Sequence, residues 1–292
     1  MKSPLTRSET GLLVALALAI ALACFGPAVA QYSNYHAFAD QRTLWGLPFA
    51  MDVLSNAPFA LLGAWGLLRL RSVHTPRARR TGFVALVPCD AQRPLAQLFF
   101  GGLILTALCS SYYHLQPDDV GLAIDRLGML AAFAGLMGLA AADRISSRAG
   151  QWTAAAVMAL GPAAVGVWAL TSNLLPWSVL QGGGMLLIVC LALRKPLIGA
   201  WGVPLLAVMA WYVFAKLLEL GDHHFLDWTQ GLISGHTLKH MAAAMAAWPV
   251  IAVMQNGAYW AVPAHGCPQA RFAARTWISY ADQQKTRPED IL

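Results

Sequence analysis

The chain predicts an all-α fold, a polytopic transmembrane helical bundle, and three observations predict it. Of its 292 residues, 58% are hydrophobic and only 12% charged, and the mean hydropathy is +0.53, far too apolar for a soluble domain of this length. The apolar residues gather into runs long enough to cross about 30 Å of hydrocarbon, which takes roughly 20 residues of helix. Each run is apolar on every side, so the alternation that a transmembrane barrel requires is absent.

Eight runs meet the length criterion. The first, 11–28, follows Lys2 and Arg7 and runs into Ala28-Val29-Ala30 before Gln31, a pattern that fits a membrane anchor and a cleaved signal peptide equally well. The second, 52–70, begins at Asp52 and carries Pro58. The third, 95–113, ends in Ser110-Ser-Tyr-Tyr-His114. The fourth, 121–142, holds Asp125 and Arg126 within its first two turns, the fifth covers 153–170, and the sixth, 177–193, contains Gly182 to Gly184. The seventh covers 199–218, and the eighth, 233–254, opens on Ser-Gly-His236-Thr-Leu-Lys-His240. Glycine and proline inside such runs are ordinary in membrane helices, where small residues let backbones approach. There is no internal repeat and no long linker. The chain is therefore read as an N-terminal transmembrane helix or signal peptide (1–30), a seven-helix core (31–256) and a polar cytoplasmic tail (257–292).

Basic residues set the expected orientation. Lys2 and Arg7, the group Arg69, Arg71, Arg77, Arg79, Arg80 and Arg93, the pair Arg144 and Arg148, Arg194 with Lys195, and Arg271, Arg275, Lys285 and Arg287 all fall on one side of eight crossings. The positive-inside rule makes that side cytoplasmic, with both termini there. Asp118, Asp119, Asp222 and Asp227 then belong to outer loops. The net charge of +6 is thus a topology signal, and without a soluble basic face nucleic acid is not an expected partner. Cys24, Cys109 and Cys190 lie in apolar runs, and Cys89 and Cys267 fall on the reducing side, so the cysteines form no disulfide framework.

Under this topology His114, Asp125, His236 and His240 come from three helices yet share one outer layer. His236 and His240, at i and i+4, present both imidazoles on one helical face, and Ser110 and His114 share another. Taken singly these are weak signals. An H-x-x-x-H pair also suits haem ligation or a satisfied core pair, Ser110 could bond its own helix carbonyl, and Asp125 could pair with Arg126. Together they offer three imidazoles, an acid and a hydroxyl, and three protein ligands with one open position is the catalytic zinc pattern.

The set Ser110-x-x-x-His114, Asp125 and His236-x-x-x-His240 resembles the CREST superfamily of seven-helix membrane hydrolases. Ser-Gly-His-Thr-Leu-Lys-His at 234–240, with Tyr35-His-Ala-Phe-Ala-Asp40 and Asp52-Val-Leu-Ser-Asn56, is most similar to its alkaline ceramidase branch and bacterial relatives. The resemblance covers roughly 35–254. It implies zinc held by His114, His236 and His240 with water as fourth ligand, Asp125 orienting that water or taking its proton, and Ser110 donating to the tetrahedral oxyanion. The implied reaction is hydrolysis of a lipid amide, ceramide or a related N-acyl lipid, to a fatty acid and an amine such as a sphingoid base. The implied partners are that lipid substrate and the membrane lipids, and the setting is a bacterial inner membrane with the site facing outward. One departure puts calcium in doubt: Asp40 and Asp52 are the only carboxylates where the family has an acidic calcium site.

The competing class is a zinc-containing seven-helix receptor or lipid-binding protein without turnover, since the triad alone does not establish catalysis. Glu219, Asp222, His223, His224 and Asp227 read as a solvated outer loop, and Lys239 as a snorkelling side chain or a partner of Glu219. The sequence carries no signal for oligomeric state.

Overall fold

The computed structural model describes residues 4–72 and 89–256, and these are helical with no strand among the described residues. The expectations for Lys2, Arg77, Arg79 and Arg80, and for the tail 257–292 with Cys267 and its basic residues, lie outside them. Helices α1 (Arg7–Phe25), α2 (Ala50–Leu54), α3 (Ala57–Ser72), α4 (Cys89–Leu115), α5 (Asp119–Arg144) and α6 (Ser147–Thr171) come first. They are followed by α7 (Leu175–Ala192), α8 (Leu205–Leu220), α9 (Asp222–Trp228), α10 (Gly235–Met245) and α11 (Trp248–Asn256).

Seven stretches among the described residues are long and apolar enough to cross a membrane, and the protein is accordingly a multi-pass membrane protein. Two of them, Ala50–Arg71 and Gly235–Met254, each join a consecutive pair of helices, α2 with α3 and α10 with α11. The expected crossing at 199–218 is shorter than the others: α8 has 16 residues, about 24 Å at 1.5 Å per residue. The cause is local. Gly199 and Gly202 take positive φ, and Pro204, which has no N–H to donate, sits at the cap. The helix nevertheless runs between the same two layers as α5. Its leading residue Val203 accepts from Arg144 at one end of α5, and the residues after it meet the other layer through Asp222.

The two layers are held by different chemistry. In one, Asp143 at the end of α5 is fully buried and accepts from Gln92 at 3.0 Å, from the amides of Gly202 and Val203 at 2.9 Å each, and from Arg144. Glu9 of α1 joins the same layer, accepting from Arg148 at 2.6 Å and Ser146 at 2.7 Å. Carboxylates buried this deeply are tolerable because their lone pairs are satisfied. Arg144, Arg148 and Arg194 therefore share one end of the bundle with Ser8 and Glu9, as the arginine pattern requires. The outer flanks present Leu61, Leu108, Leu186, Leu206 and Leu217, an apolar surface suited to lipid.

Close helix contact positions the site. A Cβ on Gly135 would stand 2.2 Å from the backbone nitrogen of Phe99, so α5 packs on α4 with no side chain between them, in the way small residues act in membrane bundles. Gly235 does the same for α10, where a Cβ would lie 2.2 Å from the carbonyl of Leu218. These approaches bring His114, Asp125 and His236 into one layer.

Candidate metal centre

His114 closes α4, and His236 and His240 occupy the first two turns of α10. All three are buried, at 1%, 6% and 3% exposure. One ring nitrogen from each lies within 4.8 Å of the others, and among the described residues this is the one group that could hold a metal ion. His114 and His236 face each other Nε2 to Nε2 at 3.3 Å. The sequence-predicted triad is thus assembled across 122 residues of chain.

Hydrogen-bond donors fix which nitrogens point inward. Ser55 has one hydroxyl proton and gives it to the carbonyl of Asp52 at 2.9 Å, so at its 2.8 Å contact with His240 the Nδ1–H must be the donor. The lone pair of His240 is then at Nε2. Lys239 approaches Nε2 of His236 at 3.1 Å, and because an ammonium has only protons to give, that nitrogen also carries a lone pair. Two imidazoles are therefore neutral with a lone pair at Nε2, the form in which histidine ligates metal, and Lys239 is the group that occupies the His236 lone pair here. Nδ1 of His114 is buried without a partner.

The segment before α2 covers this layer. Phe38 lies 4.6 Å from the ring of His114 and 4.5 Å from that of His236, centroid to centroid. It is held there by Asp222, whose carboxylate accepts from the amides of Ala39 at 2.9 Å and His236 at 2.7 Å. His36 adds contacts to Tyr113 at 2.8 Å and Asp119 at 3.2 Å. Asp40 pairs with Arg42 at 2.5 Å. Burial alone would raise the Asp40 carboxyl, but the hydrogen bonds from Arg42 outweigh it and hold it below its usual range. The other carboxylate of this stretch, Asp52, is buried and accepts from Thr237 at 2.6 Å. Of the two acids named for a calcium site, Asp40 has both oxygens on Arg42, while Asp52 keeps Oδ2 buried without a hydrogen-bond partner.

Ser110 is buried near Asp125, whose Oδ1 is buried with no hydrogen-bond partner. Asp125 does not pair with Arg126 among the described ion pairs; that guanidinium turns instead to Gln31 at 2.6 Å. Lys239 pairs with Glu219 at 3.1 Å, and Lys216 reaches the same carboxylate at 2.5 Å. Asp222 and Glu219, grouped on sequence with a solvated loop, are therefore structural ties, while His223, His224 and Asp227 are exposed. Ser55, Phe38 and Thr237 carry no functional signal in the sequence. Only the Asp52-Val-Leu-Ser-Asn56 segment pointed near Ser55, because a lone serine at the bend between two helices has no distinctive pattern.

Ser110, Asp125 and His240 line one cavity of about 200 Å³. Its wall descends along α4 from Ser110 to Phe99, about 16 Å at the helical rise, and is largely apolar there, with Leu103, Phe133, Met185 and Val208.

The fold and the three imidazoles together define the class: a multi-pass helical membrane protein with a buried histidine site able to hold a metal ion. No family model, curated protein or solved structure matches the chain.

Proposed function

We propose that the protein is a zinc-dependent membrane hydrolase that cleaves the amide bond of a lipid, ceramide or a related N-acyl lipid, in the manner of the alkaline ceramidase branch of the CREST superfamily. The observation that carries this reading is the convergence of three buried imidazoles, one of which, His240, lines a long and largely apolar cavity together with Ser110 and Asp125. Zinc suits the donor set. Two nitrogens at roughly 2.0–2.1 Å from a tetrahedral zinc are about 3.3–3.4 Å apart, and His114 and His236 face each other at 3.3 Å. Three nitrogen ligands leave a fourth position open, the arrangement of catalytic zinc.

Bound there, zinc would supply a water acidic near neutral pH and would polarise the scissile carbonyl. The protein's own groups do the rest. Asp125, with one oxygen free of protein partners, takes and returns the proton that moves from water to the leaving amine. Ser110 donates to the carbonyl oxygen as negative charge develops on it. The apolar wall holds the acyl chain, which need not leave a lipid-like medium to react. The distribution of arginines supports an inner bacterial membrane setting with the basic layer cytoplasmic and the site toward the outer face.

The test joins metal analysis of purified protein with an assay on a fluorescent ceramide and other N-acyl lipids. His240→Ala should lose most of the metal and all activity. Asp125→Asn should keep zinc yet fall by orders of magnitude in turnover, and Ser110→Ala should fall roughly 10- to 1,000-fold with zinc retained. Wild-type protein that binds no zinc, or a His240→Ala variant that still cleaves the amide, would end the proposal.

A further inference from the structure

The cavity beside the histidines contains a cation that the hydrolytic scheme does not use. Arg126 of α5 is 2% exposed. Its Nη2 donates to Gln31 at 2.6 Å, but its Nη1 is buried with no hydrogen-bond partner. Aromatic faces hold the group in place: the guanidinium carbon lies 4.0 Å from the Trp168 ring centroid and 5.5 Å from that of Trp177. These contacts orient the fork without neutralising it. A buried charge is costly unless something pairs with it.

The charge balance of the cavity wall points the same way. Its cations are Arg126, Lys216 and Lys239, and its carboxylates are Asp125 and Glu219. Glu219 is engaged by both lysines, at 2.5 and 3.1 Å, and Asp125 makes no ion pair with Arg126 among the described residues. Arg126 is therefore the cavity cation that no described carboxylate contacts in an ion pair. A buried guanidinium whose Nη1 protons are unpaired is a donor suited to a carboxylate.

We infer that Arg126 is a specificity-determining residue that binds a carboxylate on the amine portion of the substrate, which makes the substrate class N-acyl amino acids. This rests on the amide-hydrolase reading for the chemistry, though the binding site does not depend on it. In the reaction the oxygen of water bonds to the acyl carbon, the C–N bond breaks, and a water proton leaves on the nitrogen. The products are a fatty acid and a free amino acid whose carboxylate was held by Arg126.

Two probes with the same acyl chain decide the matter: N-oleoylglycine, which carries the carboxylate, and N-oleoylethanolamine, which is neutral. Their binding is measured on metal-free full-length protein in detergent by displacement of a fluorescent fatty acid, and their cleavage on zinc-loaded protein. Wild type should bind the carboxylate probe roughly tenfold or more tightly than the neutral one. Arg126→Gln should abolish that preference, moving the neutral probe by less than about threefold, and Arg126→Lys should restore part of it. Equal binding of the two probes by wild type overturns the inference without requiring any variant to fold, and so does a preference that survives in Arg126→Gln. If N-oleoylglycine binds through Arg126 but is not cleaved, the anion site stands and the hydrolase reading falls. If both probes are cleaved with the same KM, the hydrolase stands and the anion site falls.

Discussion

Removing one hydroxyl outside the triad should loosen the metal. Ser55 receives the Nδ1–H of His240 at 2.8 Å while giving its own proton to the Asp52 carbonyl at 2.9 Å. In Ser55→Ala the carbonyl keeps a donor, because Asn56 Nδ2 also reaches it at 2.9 Å. The loss therefore falls on His240, whose Nδ1–H is left buried and unpaired. Such a group costs about 1–3 kcal/mol, which at about 1.4 kcal/mol per factor of ten is roughly 5- to 150-fold. That range spans the roughly 10- to 100-fold typical when a group orienting a metal-bound histidine is removed. The assay is zinc competition against a chelator of known affinity in detergent, with helicity and thermal unfolding as folding controls. Ser55→Thr, which keeps the hydroxyl, should recover most of the affinity. A folded Ser55→Ala protein that binds zinc within about twofold of wild type would overturn the tautomer assigned to His240.

Gly135→Ala places a methyl group 2.2 Å from the Phe99 backbone nitrogen. It should destabilise the bundle by about 1–3 kcal/mol or more, read as a lowered unfolding temperature, and an unchanged temperature would contradict the close approach of α4 and α5. The Asp40 carboxyl is held below its usual range by Arg42, so this pair stabilises the folded state fully above the unfolded value of about 3.9 and ceases to do so as pH falls through the depressed native value. Arg42→Ala should therefore be less stable than wild type at neutral pH, with the two unfolding temperatures converging in acid; a pH-independent gap would count against it. A reporter active only in the cytoplasm should function after Leu292 and be silent when inserted at Asp118, and the reverse would invert the orientation.

Much of this molecule was legible in the linear chain because the relevant physics is local. Runs of apolar residues measure the hydrocarbon they must cross, and the i, i+4 spacing of His236 and His240 puts both rings on one face whatever else the chain does. The Lys239–Glu219 pair was within reach of the same reasoning, since both residues sit beside the same layer. Whether Asp125 pairs with Arg126, and which helices meet, was decided only by packing. That His114 meets His236 at 3.3 Å depends on helices brought together by Gly135 and Gly235, whose neighbours no periodicity reveals. Ser55 on His240, Phe38 over two rings and Asp222 joining the covering segment to α10 all bridge residues far apart in sequence. Arg126 is the sharpest case. Its sequence neighbour Asp125 suggested a pair, yet consecutive residues on a helix point about 100° apart. Trp168, Trp177 and Gln31 from other parts of the chain took the guanidinium instead. The sequence by itself determined which segments are long and apolar enough to cross a membrane, because insertion depends on transfer of each segment from water. The tertiary structure decided which of those groups meet, because that depends on the shapes of surfaces that exist only once the helices have packed.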